Sequence, residues 1–410
     1  MTIAPMPAPA TSSFPAAPTV PTGTAPTAPL RDALMRAAAI APRRDRNVLF
    51  THTLLRAAGR ELNVLSQAPG LLWHERVPAT DLPDFDASAP ASKLGQIAAL
   101  LTDADTHIGP SRARAYGLDI HVPDIDMLFS LEGIDPNGYE LPIHDGITAV
   151  PSDAPCATVS ARELADAIKC VKYAASKEAF QRAFRGICLG GAGGNEVAAS
   201  DGYRLAVYTL SSNLPYAILP LPIAERIMAA FARLPQDVDV RMWVTAPGAL
   251  PQNGSGPIPA QQLLIQAGPH TVSVLCINDQ YPDYGKVMNV GGLSAAWGRK
   301  ALLRRLQGLA IVFNPYASNR IELTQRGTVL TLEADWDDMR AQTTLQMTEP
   351  LGGRGVREVS AAYNLRYLRE AAHFAPEDEL RVAIQYDDSQ SRSLEIRSGN
   401  YCALIVSLRE

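Results

Sequence analysis

Ser200-Asp-Gly-Tyr-Arg-Leu-Ala206 is the most informative stretch of this sequence, and Asp279-Gln-Tyr-Pro-Asp-Tyr284 is its companion. Asp201-Gly202 predicts a tight turn, because glycine tolerates the positive φ that such turns need. An alternating, strand-like pattern follows it at once. The second string is an aromatic corner fixed by proline, just after the strand-like run Val272–Ile277. Two rigid corners with exposed aromatic side chains and an arginine indicate a surface that holds a ligand, although each could also be only a well-formed turn.

Size and composition limit the class of protein. The 410 residues predict two to four domains, and 47% of them are hydrophobic, which is enough for sizeable cores. No run of 18 apolar residues and no N-terminal signal pattern is visible. The five cysteines have no CxxC spacing, which indicates reduced thiols in a cytoplasmic protein. The seven histidines lack metal-ligand spacing, so no metal site is predicted. No other cofactor is predicted either.

Residues 1–29 are mostly Ala, Pro and Thr and carry no charged side chain before Arg31. Such a segment buries too little apolar surface to offset its ordering entropy, so a disordered or polyproline-like tail is expected. The remaining chain is predicted to consist of three copies of an α+β unit, with a period of about 130 residues. We place the repeats at residues 30–152, 153–290 and 291–410. Each is expected to contain many antiparallel strands and two helices, at Leu30–Ile40 and Ala91–Leu101, Ser160–Ala175 and Pro222–Leu234, and Trp297–Leu309 and Asn364–Phe374.

The predicted helices carry the basic charge of an otherwise acidic chain. The formal net charge is −5, yet the segment Trp297–Leu309 contains four cations and no acid. Acidic residues gather instead in strands and loops, as in Asp335–Asp338. One charged helix face is usually only solvated, but several with the same sign suggest a shared basic surface.

These features together resemble a known family, the bacterial DNA polymerase III β subunit, or replicative sliding clamp. Its members carry Thr-Asp-Gly-His-Arg-Leu-Ala where this chain has Ser200–Ala206, and Phe-Pro-Asp-Tyr where it has Tyr281–Tyr284. They end near Met-Pro-Met-Arg, where this chain has Val406–Arg409. The resemblance covers roughly residues 30–410 and is strongest in the second repeat.

The resemblance implies a head-to-tail homodimeric ring of three clamp domains per subunit, with helices lining the hole and sheets outside. Such a ring encircles double-stranded DNA without reading its sequence, and its cations meet phosphates. It has no catalytic residues and is a processivity factor rather than an enzyme. The cations that we assign to DNA contact are Arg43, Arg44, Arg46, Lys172, Lys177, Arg182, Arg304 and Arg305. The apolar residues that we assign to the dimer interface are Phe129 and Leu131 on one side, and Ile311 and Val312 on the other.

The family also has a groove between the second and third repeats, which accepts short peptides of the type Gln-Leu-x-Leu-Phe. Such peptides come from the DNA polymerase III catalytic subunit, the clamp loader and repair proteins. The matching positions in the second repeat are Phe184, Ser200, Gly202, Tyr203, Arg204, Leu205, Pro282, Lys286 and Val287. Those in the third repeat are Asn364, Tyr367, Leu404, Ile405, Val406, Ser407, Leu408 and Arg409. Leu205, Pro282, Val287, Leu404, Val406 and Leu408 would form apolar walls, with Arg204, Lys286 and Asn364 as polar contacts.

Departures from the family pattern keep two alternatives open. Ser200 replaces Thr, Tyr203 replaces His, Lys286 replaces Arg and Ser407 replaces Pro. A plasmid- or phage-type accessory clamp with altered partner specificity would fit these changes. An α+β enzyme is the other alternative, with Gly190–Gly194 as a phosphate loop. These glycines precede a strand-like segment and no lysine follows them, so a hairpin loop is the better prediction.

Overall fold

The computed structural model describes residues 21, 23–102, 105–136, 154–235, 237–244, 261–288, 295–313, 319–337, 339–346, 358–386 and 392–408. Arg409 therefore lies outside the described residues. Within these ranges the chain forms 24 strands and seven α-helices. The strands fall into three sets of eight, and each set has one helix after its first strand and one after its fifth.

The first set contains strands β1 to β8 and helices α1 and α2. The strands are β1 Gly23–Ala25, β2 His52–Ala58, β3 Glu61–Ala68, β4 Leu71–Pro78, β5 Phe85–Pro90, β6 Thr106–Pro110, β7 Leu118–Val122 and β8 Met127–Leu131. The helices are α1 Thr27–Ile40 and α2 Ala91–Ala98.

The second set contains strands β9 to β16 and helices α3, α4 and the short α5. The strands are β9 Ala157–Ser160, β10 Gly186–Leu189, β11 Glu196–Ser200, β12 Arg204–Thr209, β13 Ala217–Pro220, β14 Asp239–Val244, β15 Gln262–Ala267 and β16 His270–Leu275. The helices are α3 Ala161–Val171, α4 Leu221–Phe231 and α5 Gly285–Met288.

The third set contains strands β17 to β24 and helices α6 and α7. The strands are β17 Ala295–Gly298, β18 Arg320–Arg326, β19 Val329–Trp336, β20 Met339–Gln346, β21 Glu358–Asn364, β22 Glu379–Tyr386, β23 Arg392–Ser398 and β24 Tyr401–Val406. The helices are α6 Arg299–Leu309 and α7 Leu365–Phe374. All six helices predicted from the sequence are therefore confirmed.

Every repeat has the same antiparallel topology. Its first, sixth, seventh and eighth strands pair in that order, and its other strands pair in the order fifth, second, third, fourth. The fourth strand of one repeat also pairs with the eighth strand of the next, as β4 with β16 and β12 with β24. Two eight-stranded sheets thus cross the boundaries between repeats. The two remaining four-stranded sheets end on β8 and β20, which have no further strand beside them among the described residues.

The helices form one row that follows the repeats. Packing contacts join α2 to α1, α1 to α4, α4 to α3, α3 to α7 and α7 to α6. Each helix turns an apolar face to a sheet; in α3, Leu164, Ile168 and Val171 recur at helical spacing and are fully buried. The chain thus has a helical side and sheets behind it, and the row ends at α2 and α6.

The predicted tail of residues 1–29 is wrong at its C-terminal end. Residues 23–29 form β1 and the start of α1, and Ala25 is fully buried. β1 pairs with β6, with Gly23 opposite Ile108, a contact that local composition does not reveal. Pro29 lies within the first turn of α1, where the backbone N–H groups have no helical partners, so proline is tolerated there.

Candidate functional site

The corner at residues 200–205 is a turn held by its own side chains, as predicted. Gly202 has a φ of 89°, and the Asp201 Oδ1 atom accepts hydrogen bonds from the backbone N–H groups of Tyr203 and Arg204, each at 3.0 Å. The Ser200 hydroxyl donates to the Arg204 carbonyl at 2.7 Å and accepts from the Gly202 N–H at 3.1 Å. This network fixes the turn and leaves the Tyr203 side chain exposed, with 66% of its surface accessible.

The second corner differs from the prediction, because Tyr281 and Tyr284 are buried rather than exposed. Their rings meet edge to face at 6.2 Å, and Tyr281 makes a similar contact with Phe184 at 6.1 Å. The Tyr284 hydroxyl donates to the Glu196 carboxylate at 2.8 Å and accepts from the Ala192 N–H at 3.2 Å. Burial raises the pKa of both tyrosines, so both stay neutral near pH 7. The corner is a packed aromatic cluster under the surface.

Arg204 is also buried, and it ties the second repeat to the third. Its guanidinium donates to Asp201 at 2.9 Å and to Glu370 of α7, and it lies over the rings of Tyr173 and Tyr367 at 5.2 and 4.3 Å. Burial lowers the pKa of Arg204, but its hydrogen bond to Glu370 and the nearby carboxylates outweigh this and raise it. Arg204 thus already has partners for the atoms that were expected to bind a peptide, and it acts here by positioning α7.

The other predicted groove residues come together at the junction of β12 and β24. Leu205 pairs with Leu404 across this junction, and both are buried with Tyr281 and Tyr284 in one apolar cluster, while Ile405 faces the main core. The Val406 N–H donates to the Tyr203 carbonyl at 3.0 Å. These buried residues form a floor rather than walls. The exposed members above it are Gly202, Tyr203, Pro282, Lys286, Val287 and Val406.

The remaining groove positions are partly buried at the edges of this floor. Asn364 is the N-cap of α7, and its side-chain oxygen accepts from the N–H groups of Arg366 and Tyr367 at 3.0 and 3.4 Å. The Leu408 N–H donates to the Ala362 carbonyl at 2.8 Å, which holds the C-terminal run against β21. The partly buried members are Phe184, Ser200, Asn364, Tyr367, Ser407 and Leu408.

The cations assigned to DNA contact fall on or beside the helical row, and most of them are exposed. Arg43, Arg44 and Arg46 are exposed in the segment after α1, and Lys177 and Arg182 are exposed in the segment after α3. Lys172 is engaged with Glu225 of α4 at 3.3 Å. On α6, Arg304 is exposed and Arg305 is partly buried. Exposed helical cations that the sequence reasoning did not select include Lys169 on α3 and Arg366 and Arg369 on α7, each on the face opposite the apolar stripe.

The residues assigned to the dimer interface divide into two groups. Phe129 and Leu131 lie on the open edge strand β8 and pack partly against the core of the first repeat. Ile311 follows α6 and is 70% exposed, whereas its neighbour Val312 is 5% exposed and belongs to the main core. Val312 therefore offers almost no surface to a partner, and this part of the assignment does not fit the structure.

The glycine-rich string Gly190–Gly194 is a hairpin loop between β10 and β11, as predicted. Its backbone is closed by hydrogen bonds within the loop, such as Gly194 N–H to the Gly191 carbonyl at 2.9 Å. In the part of the chain that the structure describes, no group of three or more His, Cys, Asp or Glu residues could hold a metal ion. No helix in those ranges is long and apolar enough to cross a membrane.

Comparisons with known proteins give a clear answer on the fold. A scan against protein-family models and a search of curated protein sequences both found no match. Solved structures do match, among them the DNA polymerase III subunit beta from Pseudomonas aeruginosa, with a TM-score of 0.75 at 19% identity over 94% of this chain and 99% of that one. The DNA polymerase sliding clamp from Caulobacter crescentus matches with a TM-score of 0.74 at 18% identity over 95% and 99% of the two chains. The DNA polymerase III beta subunit from Thermotoga maritima gives 0.74 at 15% identity over 94% and 99%. This chain therefore has the three-repeat fold of the bacterial sliding clamps.

Proposed function

We propose that two copies of this chain close head to tail into a ring that encircles duplex DNA as a sliding clamp. The observation that carries the proposal is the repeated joining of a fourth strand to the eighth strand of the following repeat. By the same rule the next pair is β20 with β8, and both are open edges among the described residues. They lie in the last and first repeats, so a second copy can continue the series at both ends. Such an interface is heterologous. The assembly is a closed ring if the rotation between subunits completes a circle, and an open filament if it does not.

Exposed apolar side chains support closure at these ends. Large exposed apolar groups that adjoin one another mark interaction surfaces. In the first repeat, Leu100 follows α2, and Tyr116, Ile125 and Met127 lie near β7 and β8. In the third repeat the corresponding exposed groups are Ile311, Val329, Trp336 and Met339.

The helical row supplies the surface for DNA. Its cations contact phosphates without reading bases, which suits sliding, and closure of the ring supplies retention. A protein that holds a polymerase on its template needs a closed ring around the DNA and no active site. We therefore propose a non-catalytic processivity factor.

Retention on DNA of different topology tests this function. Protein that is diluted, mixed with nicked circular plasmid and then concentrated should form rings around the circles. Size-exclusion chromatography in high salt should then recover protein with the circles, and cutting the plasmid at one site should release it. Equal retention on circular and linear DNA would show ordinary surface binding and reject the clamp.

The salt dependence of DNA binding should report the phosphate contacts. Changing Arg43, Arg44 and Arg46 together to alanine is expected to flatten the plot of log affinity against log salt by about one unit per lost contact. Fluorescence anisotropy on duplexes of two unrelated sequences measures the slope, which should not depend on sequence. Arg241→Ala, at an exposed position of strand β14 rather than on a helix, is the control and should leave the slope unchanged. An unchanged slope in the triple variant would remove this segment from the DNA surface.

We further propose that the groove at the junction of β12 and β24 binds short peptides from partner proteins. Exposed apolar side chains above a rigid buried floor are typical of linear-motif sites. Tyr203, Val287 and Val406 are 66%, 52% and 36% exposed beside the Leu205–Leu404 floor. The exposed Tyr203 ring, where the family has histidine, favours a peptide preference of its own, as in an accessory clamp.

Val287→Asp is expected to weaken binding of a Gln-Leu-x-Leu-Phe peptide by about 1–3 kcal/mol, because a carboxylate replaces an apolar anchor. Titration calorimetry of wild type and variant measures this loss. Val48→Asp changes a comparably exposed valine outside the groove and should bind normally. Leu205→Ala is a poorer probe, since Leu205 is buried in the junction between repeats. Absence of saturable binding by the wild-type protein would reject the groove while leaving the ring intact.

A further inference from the structure

A cavity of about 400 Å³ lies beside the proposed groove, on the other side of the Tyr281–Tyr284 corner. Its walls include the rings of Tyr216, Tyr281 and Tyr284, together with Pro282, and its floor includes the glycine-rich loop between β10 and β11. None of the cavity residues except Pro282 was assigned to the groove. The cavity and the proposed groove thus share Pro282 and are otherwise lined by different residues.

The mouth of the cavity is acidic. Asp279 and Asp283 both line it and are exposed, and a third carboxylate, that of Glu196, accepts the hydrogen bond from Tyr284 behind the wall. No lysine, arginine or histidine is among the described residues that line it. Lys286 reaches Asp283 at 3.5 Å, but its side chain is 83% exposed, so this pair is weak and easily exchanged.

We propose that this cavity takes a basic side chain, arginine or lysine, that flanks the linear motif of a partner peptide. The inference rests on the proposed peptide groove. Aromatic walls suit the apolar stem of a long basic side chain, and the exposed face of Tyr216 attracts its cationic head. Asp279 and Asp283 then stand where that head emerges.

Other occupants fit less well. An apolar side chain that closed the mouth would desolvate two carboxylates without giving them a partner, which is unfavourable. An acidic side chain would meet carboxylates of its own sign. Asp279 already uses one oxygen for the Ala183 N–H at 3.2 Å and the other for the Gln280 N–H at 2.8 Å, which fixes it in place. Asp283 accepts from the Gly285 N–H at 3.2 Å through Oδ1 and pairs with the exposed Lys286 through Oδ2, so only a solvent-exposed partner has to be exchanged there.

The rigidity of the corner favours joint occupation of cavity and groove. Tyr281 lines the cavity and contacts Phe184 of the groove, and its backbone N–H donates to the Tyr216 hydroxyl at 2.8 Å. One peptide that lies over Pro282 can thus place neighbouring residues on both sides. The cavity would then add affinity and select partners by the charge that flanks their motif.

Anisotropy titrations with a matched set of peptides test this inference. The set contains the Gln-Leu-x-Leu-Phe motif flanked on either end by arginine, alanine or glutamate. At the end of the motif that lies next to the cavity, arginine should tighten binding relative to alanine by about threefold to tenfold, and glutamate should weaken it. Asp283→Asn should remove most of this preference, and Asp283→Lys should invert it in favour of glutamate. Asp239→Asn, on β14 of the same repeat, is the control and should keep the wild-type preference.

Comparing flanks within each variant cancels any general effect on the groove, since the motif is constant. Equal affinity for all flanks in the wild type, or a preference that survives Asp283→Lys, would overturn the inference while the groove stands. Failure of every peptide to bind would overturn the proposed groove, and the cavity's role with it.

Discussion

Ile311→Asp is expected to convert the proposed ring dimer into monomers of 44.0 kDa. Ile311 lies in the turn after α6, at one end of the helical row and next to the open strand β20, and 70% of its surface is exposed. Burying one isoleucine contributes about 1.5–3 kcal/mol. An unpaired carboxylate buried in the same place costs further binding free energy, because it loses its hydration. The summed loss should raise the dimer dissociation constant by at least about a hundredfold.

Light scattering coupled to size-exclusion chromatography at low micromolar concentration measures this change. Val48→Asp is a matched control, since Val48 is 53% exposed in a similar short turn away from both open edges. It should remain dimeric. Val312→Ala, in contrast, should lower stability by leaving a cavity in the core, without specific dissociation. A fully dimeric Ile311→Asp protein with a normal unfolding midpoint would reject closure through this edge.

The helices could be predicted from the sequence because each carries its own signal. Apolar spacing in α3 is such a local feature, and both α3 and α7 lie where the pattern predicts them, although Asn364 is the cap of α7 rather than its first helical residue. The alternation of apolar and polar residues likewise predicts the strands between the helices. The pairing of β12 with β24 could not be predicted, because no local feature of either strand specifies a partner almost 200 residues away.

The candidate site shows the same division between local and distant effects. The turn at Asp201-Gly202 forms as predicted, since all its hydrogen bonds are made within five residues. Arg204 looked like a free cation because its partner Glu370 lies 166 residues further along the chain. Tyr281 and Tyr284 looked exposed because corner residues usually are, but Phe184 and the glycine-rich loop cover them. Burial of a side chain depends on contacts that a linear pattern does not contain.

Glu75→Ala is expected to cause the largest loss of stability, about 3–5 kcal/mol, because it leaves a buried arginine unpaired. Glu75 on β4 accepts hydrogen bonds from Arg36 of α1 at 3.0 and 2.5 Å, and it lies 3.2 Å from His270 of β16. All three residues are at most 6% exposed. The cluster therefore joins the first repeat to the second from inside the sheet that they share.

The effect should depend on pH in a defined direction. Burial raises the pKa of Glu75, but the hydrogen bonds from His270 and Arg36 outweigh it, so the folded pKa lies below the ordinary 4.5. A carboxyl group with a depressed folded pKa stabilises the protein fully above its unfolded pKa, and this contribution is lost as pH falls through the folded value. The stability difference between wild type and variant should thus shrink as the pH falls below about 4.

Urea unfolding of wild type and Glu75→Ala at a series of pH values measures this difference as a shift in midpoint, which remains meaningful for a chain of several repeats. Both proteins are compared in a His74→Gln background, because burial and the nearby Arg76 lower the pKa of the adjacent His74 to about 4 while Glu75 acts to raise it, so the His74 contribution would otherwise differ between them. Asp86→Ala is the matched control: Asp86 pairs with Arg56 through two hydrogen bonds of 2.6 and 2.7 Å, but on the surface. Its loss should cost less than about 1 kcal/mol, because solvent already screens that pair. Equal shifts for the two variants would mean that burial adds nothing to the Arg36–Glu75–His270 cluster, and that the β4–β16 strand pairing and the α1–α4 packing hold the first two repeats together without it.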